Sequence, residues 1–357
     1  MARTTWKLWV TTGAVLSAAG LVVAIGCGSD DSSESGFSGS GQGGSAGMIN
    51  LDGGAGTSGS GGMISVPDGG QAGSGGQAPV GCGSVVTGTV RDFHAGVPNA
   101  DFQCGINAPA GFVDPGNKVC GPWDPEIVGK LGSPIGPGRK PVYASSDRTP
   151  STVGATSFAQ WYADAPGVNL SDKLDMKLVA GSSGTFVYDN PLFFPIDGKL
   201  FGAEANDPDK GSYKSDDQQV RNFHFTYELH TTFRYDAGNV FTFRGDDDVL
   251  VYINDKLAMN LGGIHVPLQG SIALDTGRVE ITRPAEFEQQ MEAPTPRPDL
   301  GLPDAIPNGV AGTVDLGLKA GEVYAMDFFF AERNCCASNF RIETNFVFVD
   351  CGAGPIK

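Results

Sequence analysis

Apolar and polar side chains alternate along much of the second half of the chain with the two-residue period of a β-strand. The pattern is clearest in residues 222–230, where aromatic or aliphatic residues from Phe223 to Leu229 occupy every second position. Successive side chains of a strand point to opposite faces, so these residues predict a face turned toward a core. We expect the opposite face to be solvated, with a metal site on it as the alternative. The residues that such a site would use are His224, Glu228 and His230.

Further segments have the same strand character and are separated by short turns. The turn Asn254-Asp255-Lys256 joins two of them as a hairpin. Only residues 157–162 suggest a helix, and a short one. Many short strands rich in β-branched and aromatic residues predict an all-β fold, an antiparallel β-sandwich or barrel. These further predicted strands span residues 239–244, 249–253, 257–261, 323–330 and 340–349.

Proline and glycine mark the segments that break this pattern. Residues 276–312 are rich in proline, which predicts a surface insertion with one or two helical turns at residues 286–292. Residues 28–81 are rich in Gly and Ser, contain no Lys or Arg and have few large apolar side chains. Such a segment buries too little surface to offset its ordering entropy. We therefore expect a disordered tether over residues 27–81 and one folded domain over residues 82–357.

The first 26 residues have the pattern of a secretion signal, in which two basic residues precede an apolar stretch. Thr and Gly residues interrupt that stretch, which argues against a permanent transmembrane helix. It ends in Ala24-Ile25-Gly26-Cys27, which resembles a bacterial lipobox. We expect lipidation of Cys27 and an exported protein held by its lipid alone at the outer membrane or cell surface. An ordinary cleaved signal peptide is the alternative.

The chain contains seven cysteines, and lipidation of Cys27 would leave an even number. In an exported chain, six cysteines can form up to three disulfides in any of about fifteen pairings. The spacing favours a local Cys104–Cys120 loop and a link from Cys82 to a cysteine near the C-terminus. Zinc is not expected, because no CxxC pair or suitably spaced histidine accompanies these residues. The disulfide candidates are Cys82, Cys104, Cys120, Cys335, Cys336 and Cys351.

The formal net charge of −16 at pH 7 restricts the possible partners. An acidic chain of this kind repels phosphate backbones, so nucleic acid is not an expected partner. The same charge suits solubility outside the cell and the capture of divalent cations. The sequence gives no indication of an oligomeric state.

Three adjacent carboxylates, Asp246-Asp247-Asp248, lie between two predicted strands. Like charges at this spacing raise one another's pKa unless a cation intervenes. Ca²⁺ takes about six to eight oxygen ligands and is the natural partner for them. We therefore predict a calcium site whose ligands are Asp246, Asp247 and Asp248. The alternative is an acidic turn balanced by arginines such as Arg244 or Arg333.

Five further motifs are residues 222–230 (NFHFTYELH), 241–249 (FTFRGDDDV), 261–265 (LGGIH), 331–333 (AER) and 338–344 (SNFRIET). Together they closely resemble the fibro-slime domain, over about residues 84–350. That family is related to the PA14 β-sandwich, found in adhesins, toxins, glycosidase accessory modules and slime-mould prespore-inducing factors. In its lectin-like members an Asp-Asp pair, often joined by a cis peptide bond, binds Ca²⁺, and the ion holds sugar hydroxyls.

The resemblance implies that Asp246 and Asp247 bind calcium and carbohydrate, with Asp248, Asn260 and His265 in support. Asn260 stands where Asp is usual in the family, which removes one charge from the neighbourhood of the site. Asn334-Cys335-Cys336 also replaces the usual His-Thr-Thr-like stretch, and the insertion is longer than expected.

The expected function is that of a non-enzymatic surface lipoprotein that binds extracellular polysaccharide through a calcium-bearing loop. One alternative is a structural or protein-binding matrix component in which calcium only rigidifies the loop. A polysaccharide-processing enzyme is the least favoured alternative, since the chain has no nucleophile elbow, HExxH helix or phosphate loop.

Overall fold

The structure is a computed structural model that describes residues 85–103, 123–181, 184–203, 213–215, 217–283, 306–334 and 337–350. The predicted signal peptide, the tether, Cys27, all six candidate disulfide cysteines and the predicted helical turns at residues 286–292 lie outside the described residues. No helix in the described ranges is long and apolar enough to cross a membrane.

The described residues contain fourteen strands, which form two seven-stranded antiparallel sheets. The strands are β1 Val85–Phe93, β2 Asn169–Lys177, β3 Val179–Ala180, β4 Phe186–Asn190, β5 Phe225–Arg234, β6 Val240–Gly245, β7 Asp248–Ile253, β8 Lys256–Leu261, β9 Leu268–Ala273, β10 Arg278–Thr282, β11 Gly309–Thr313, β12 Val323–Glu332, β13 Phe340–Thr344 and β14 Val347–Asp350. The first sheet has the order β2-β1-β5-β12-β7-β8, with β14 also paired to β5. The second has the order β11-β10-β9-β6-β13-β4-β3.

The two sheets pack face to face, and the alternation of side chains decides which residues fill the space between them. On β12, Phe328 and Phe330 lie in the core shared by both sheets. Phe329 and Ala331, on the opposite face, lie in a second core that the first sheet forms with the residues around Trp161. Because the first sheet is covered on both faces, its strand β7 has no exposed residue.

These features confirm the predicted all-β sandwich. Neither sheet closes into a barrel within the described residues. Asn254 and Asp255 form the turn between β7 and β8 with positive φ angles of 48° and 64°, as the hairpin prediction requires. The helical segments include an α-helix at Ala155–Phe158 and short 3-10 helices at Pro125–Ile127, Pro137–Arg139 and Leu200–Ala203.

Two predicted boundaries differ from the structure. Residues 340–349 form two strands, β13 and β14, which belong to different sheets. The predicted insertion at residues 276–312 begins with β10 and ends with β11, and these two strands pair at the edge of the second sheet. Only residues 284–305 of that segment lie outside the described residues. The proline content therefore marked the connection between two strands and not the limits of an insertion.

The prediction of a solvated outer face on β5 is wrong. His224 and Glu228 are buried there, and His230 is partly buried. Glu228 forms ion pairs with Arg91 at 3.0 Å and with Lys140. Residues 125–165 contribute to the layer that covers this face, so its polar side chains pair with one another and with groups of that layer.

Candidate functional site

The acidic loop lies where the chain crosses twice between the two sheets. Asp246 and Asp247 connect β6 of the second sheet to β7 of the first, and residues 333–339 connect β12 of the first to β13 of the second. The two connections lie side by side. The Asn339 amide N donates to Asp246 Oδ1 at 2.5 Å, and the Arg333 amide N donates to Asp247 Oδ2 at 3.1 Å.

Gly245 permits this close approach. A Cβ atom at Gly245 would lie 2.0 Å from the carbonyl oxygen of Asn339, which is backbone and has little room to move. We therefore expect Gly245→Ala to lower the free energy of unfolding by about 1–3 kcal/mol, measured by urea denaturation. Gly202→Ala is the matched control, because no atom lies within 4 Å of a Cβ at that position. Equal effects of the two substitutions would contradict the close contact.

Asp247 is the most strongly perturbed carboxylate of the loop. Only 4% of the residue is exposed, and its Oδ1 accepts the His265 amide N–H at 3.0 Å. Burial, together with the charges of Asp248 and Asp246, raises its pKa well above the usual range. The peptide bond that joins Asp246 to Asp247 is cis. Asp247 is thus held by two backbone amides in a place where its negative charge is poorly compensated.

Asp248 faces away from the core between the sheets and pairs with Arg333. Its Oδ2 accepts Arg333 Nε at 2.6 Å, and its Oδ1 accepts Arg333 Nη2 at 3.1 Å and the Gly263 amide N at 2.7 Å. Both carboxylate oxygens are therefore engaged. For this residue the geometry favours the alternative of an acidic turn balanced by an arginine over the predicted metal ligand.

Arg333 is fully buried, and protein groups surround its guanidinium group. Nη1 donates to the Ser151 carbonyl at 2.7 Å, Nη2 donates to Ser151 Oγ at 3.0 Å, and the guanidinium carbon lies 4.4 Å from the centre of the Trp161 ring. Burial alone would lower the pKa of Arg333, but the charge of Asp248 outweighs it and raises the pKa. Arg333 is thus a fixed positive charge that joins the acidic loop to the outer layer.

The other two candidate residues hold the turn beside the loop. The Asn260 amide group donates to the carbonyls of Pro125 at 3.1 Å and Gly129 at 2.8 Å, and its Oδ1 accepts the Gly262 N–H at 3.1 Å. The ring nitrogens of His265 lie 3.0 Å and 3.2 Å from the carbonyls of Val266 and Leu261, and burial lowers the pKa of His265. His265 contacts Asp247 through its backbone, and the side chain of Asn260 is directed to a neighbouring loop.

Glu332 belongs to the site, although the sequence analysis gave it no role. It is 0% exposed and is the last residue of β12. The Ser338 hydroxyl and the Asn334 backbone lie near its carboxylate, and within the described residues no cationic side chain forms an ion pair with it. Burial and the charges of Asp247 and Asp246 raise its pKa well above the usual range. Its position could have been predicted from the alternation on β12, which places Glu332 on the same face as Phe328 and Phe330.

The chemistry of these donors fits a hard cation. Asp247 and Glu332 bring two carboxyl groups into a buried region, where a cation would compensate their charge. Within the described ranges, no three Asp, Glu, His or Cys side chains are arranged to hold a metal ion by themselves. Backbone carbonyls or water would therefore supply part of a calcium coordination shell, as they commonly do.

Comparisons with known proteins found relatives of this chain in Dictyostelium discoideum. No protein-family model matches the chain, and no solved structure matches it significantly. It is similar to proteins psiR, psiQ and psiD of Dictyostelium discoideum, with 32%, 31% and 29% identity over 219, 249 and 233 residues. These alignments cover 60%, 69% and 64% of this chain. They cover 18%, 20% and 37% of the relatives, so the chain spans about a fifth of the length of psiR and psiQ.

Proposed function

We propose that the chain carries a fibro-slime, PA14-like binding module of an exported, lipid-anchored protein. In this proposal Asp246 and Asp247 hold Ca²⁺, the ion binds extracellular carbohydrate, and the protein is not an enzyme. The observation that carries the proposal is the placement of Asp247, a buried carboxylate whose oxygens accept the backbone amides of His265 and Arg333 and which lies beside two further aspartates. A divalent cation is the ligand that best compensates such a charge.

The surrounding residues give the site its shape. The backbone amides of His265 and Arg333 orient the carboxylate of Asp247, and Asn339 orients that of Asp246. The Arg333–Asp248 pair holds the loop against the outer layer. Calcium, when bound, would supply a positive charge to which neighbouring sugar hydroxyls can bind. The likeness to the psi proteins supports a shared module and does not indicate a ligand.

Calcium titration tests the first half of this proposal. After removal of divalent ions, we expect the full chain to bind Ca²⁺ in isothermal titration calorimetry. Asp247→Asn should weaken that binding by about tenfold or more, because affinity follows the number of charged ligands. Asp236→Asn is the matched control, since Asp236 lies in an exposed turn where it pairs with Arg234. Absence of calcium binding by the unaltered chain would overturn the proposal.

Glycan binding tests the second half. The chain should bind members of an array of polysaccharides in Ca²⁺, and EDTA or Asp247→Asn should abolish that binding. Glycan binding that survives both treatments would show that the loop is not the carbohydrate site.

A purely structural cation site is the second candidate function, and the burial of the loop favours it. Asp246 and Asp247 are each only 4% exposed, which leaves little surface for a sugar in this conformation. In this case EDTA should lower the melting temperature while no glycan binds in either condition. A glycan that binds only in Ca²⁺ would exclude this candidate.

A further inference from the structure

The side chain of Glu332 points into the space between the two sheets. Glu332 pairs with Phe225 across β12 and β5, and directly paired residues of antiparallel strands face the same side. Phe225 lies in the core between the sheets. By the same rule, Ala331 pairs with Asp248 and faces the outer layer. Glu332 and Asp248 therefore lie on opposite faces of the first sheet.

This direction separates Glu332 from the charges that could neutralise it. Arg333 follows it in sequence but points to the outer layer, where it contacts Asp248 and Trp161. The hydroxyl of Ser338 lies near Glu332 but also has the Phe193 carbonyl at 3.0 Å, so its one proton is shared between two acceptors. A buried carboxylate without a cationic partner is strongly unfavourable unless it is protonated or binds a cation.

We infer that Glu332 is a ligand of the cation bound at Asp247, so that the ion joins the end of β12 to the loop between β6 and β7. This inference rests on the proposed cation site and adds to it a residue that is distant in sequence. Glu332 is the last residue of β12, directly before one connection between the sheets, and Asp247 lies in the other connection. An ion shared by them would fasten the end of β12 to the loop between β6 and β7.

Glu332→Gln tests whether Glu332 acts as a cation ligand or only as a structural side chain, because the substitution keeps the shape of the side chain and removes its charge. We expect Ca²⁺ affinity, measured by calorimetry on the full chain, to fall by about 10- to 100-fold. In EDTA the same variant should be at least as stable to heat as the unaltered chain, since it no longer buries an uncompensated charge. Addition of Ca²⁺ should then raise its melting temperature less than that of the unaltered chain.

Glu322→Gln is the matched control, since Glu322 lies exposed just before the opposite end of β12. It should leave the affinity for Ca²⁺ unchanged. Glu332→Asp keeps the charge on a shorter side chain and should retain more affinity for Ca²⁺ than Glu332→Gln. It also keeps the inference testable if Glu332→Gln fails to fold.

The outcomes distinguish this inference from the function on which it rests. If Asp247→Asn abolishes calcium binding and Glu332→Gln leaves it unchanged, the proposed site stands and Glu332 is a buried neutral acid. The inference is also overturned if Glu332→Gln lowers the melting temperature equally in EDTA and in Ca²⁺. If the unaltered chain binds no calcium, both the site and the inference fail.

Discussion

Replacement of Arg333 by methionine should lower the free energy of unfolding by about 3–5 kcal/mol, because it leaves a buried charge without its partner. Arg333 Nε lies 2.6 Å from Asp248 Oδ2, and the arginine and aspartate side chains are 0% and 1% exposed. The substitution also removes the hydrogen bonds to Ser151 and the contact with Trp161. Urea denaturation at pH 7 measures the loss.

Two further variants separate the ion pair from its surroundings. Arg341→Met is the control, since Arg341 is partly exposed and its pairs with Asp189 and Glu343 are open to solvent. Exposed pairs of this kind contribute only about 0–1 kcal/mol. The double variant Arg333→Met with Asp248→Asn should be more stable than the sum of the single losses predicts, because it no longer buries an unpaired charge. Additive losses, or a loss no larger than that of Arg341→Met, would contradict this role for Arg333.

The sequence predicted those parts of the fold that depend on local pattern. Alternation between residues 222 and 230 identified which face of β5 is apolar, and the Asn254-Asp255 turn fixed the hairpin between β7 and β8. Adjacent carboxylates identified the loop between β6 and β7 as a place of concentrated charge. Each of these features is encoded within about ten residues, where the period of a strand and the preferences of a turn are readable.

Features that depend on distant contacts were not predictable in the same way. The polar face of β5 reads as solvated, because alternation shows which side is apolar and does not show what covers the other side. The pairing of Asp248 with Arg333 joins residues that are 85 positions apart. Glu332 is similar: alternation along β12 gives the face on which it lies, but its charge suggests a surface residue and only the fold shows that it is fully buried.

The charged side chains beneath residues 125–165 should make the free energy of unfolding depend on pH, and Glu228 should contribute most to that dependence. Burial alone would raise the pKa of Glu228, but His230, Arg91 and Lys140 outweigh it and hold the pKa to about 2, below its usual value of 4.5. A carboxyl whose pKa is lowered on folding stabilises the protein above its unfolded pKa and loses that contribution as pH falls. The lowered pKa corresponds to about 3 kcal/mol, which should be lost progressively between pH 4.5 and about 2.

His230 sets the upper end of the pH range in which these charged side chains stabilise the protein most. Burial alone would lower its pKa, but Asp327, at 2.7 Å from Nδ1, and Glu228 outweigh it and raise the pKa above its usual value of 6.5. A base whose pKa is raised on folding stabilises the protein below its unfolded pKa and loses that contribution as pH rises through the folded pKa. The two groups together should therefore stabilise the layer most between about pH 4.5 and 6.5.

Comparison of the unaltered chain with Glu228→Gln isolates this effect, because the raised pKa values of Asp247 and Glu332 act equally in both proteins. Urea denaturation between pH 3 and 8 should show the largest difference in unfolding free energy from pH 4.5 to 6.5 and a shrinking difference toward pH 3. Glu343→Gln, at a partly exposed position on β13, should show a small difference at every pH. If the difference for Glu228→Gln does not change with pH, Glu228 acts through packing and hydrogen bonds and not through its charge. The layer covers the face of the sheet that also carries Asp248. Loss of its stabilising contribution in acid should therefore weaken the packing against the acidic loop.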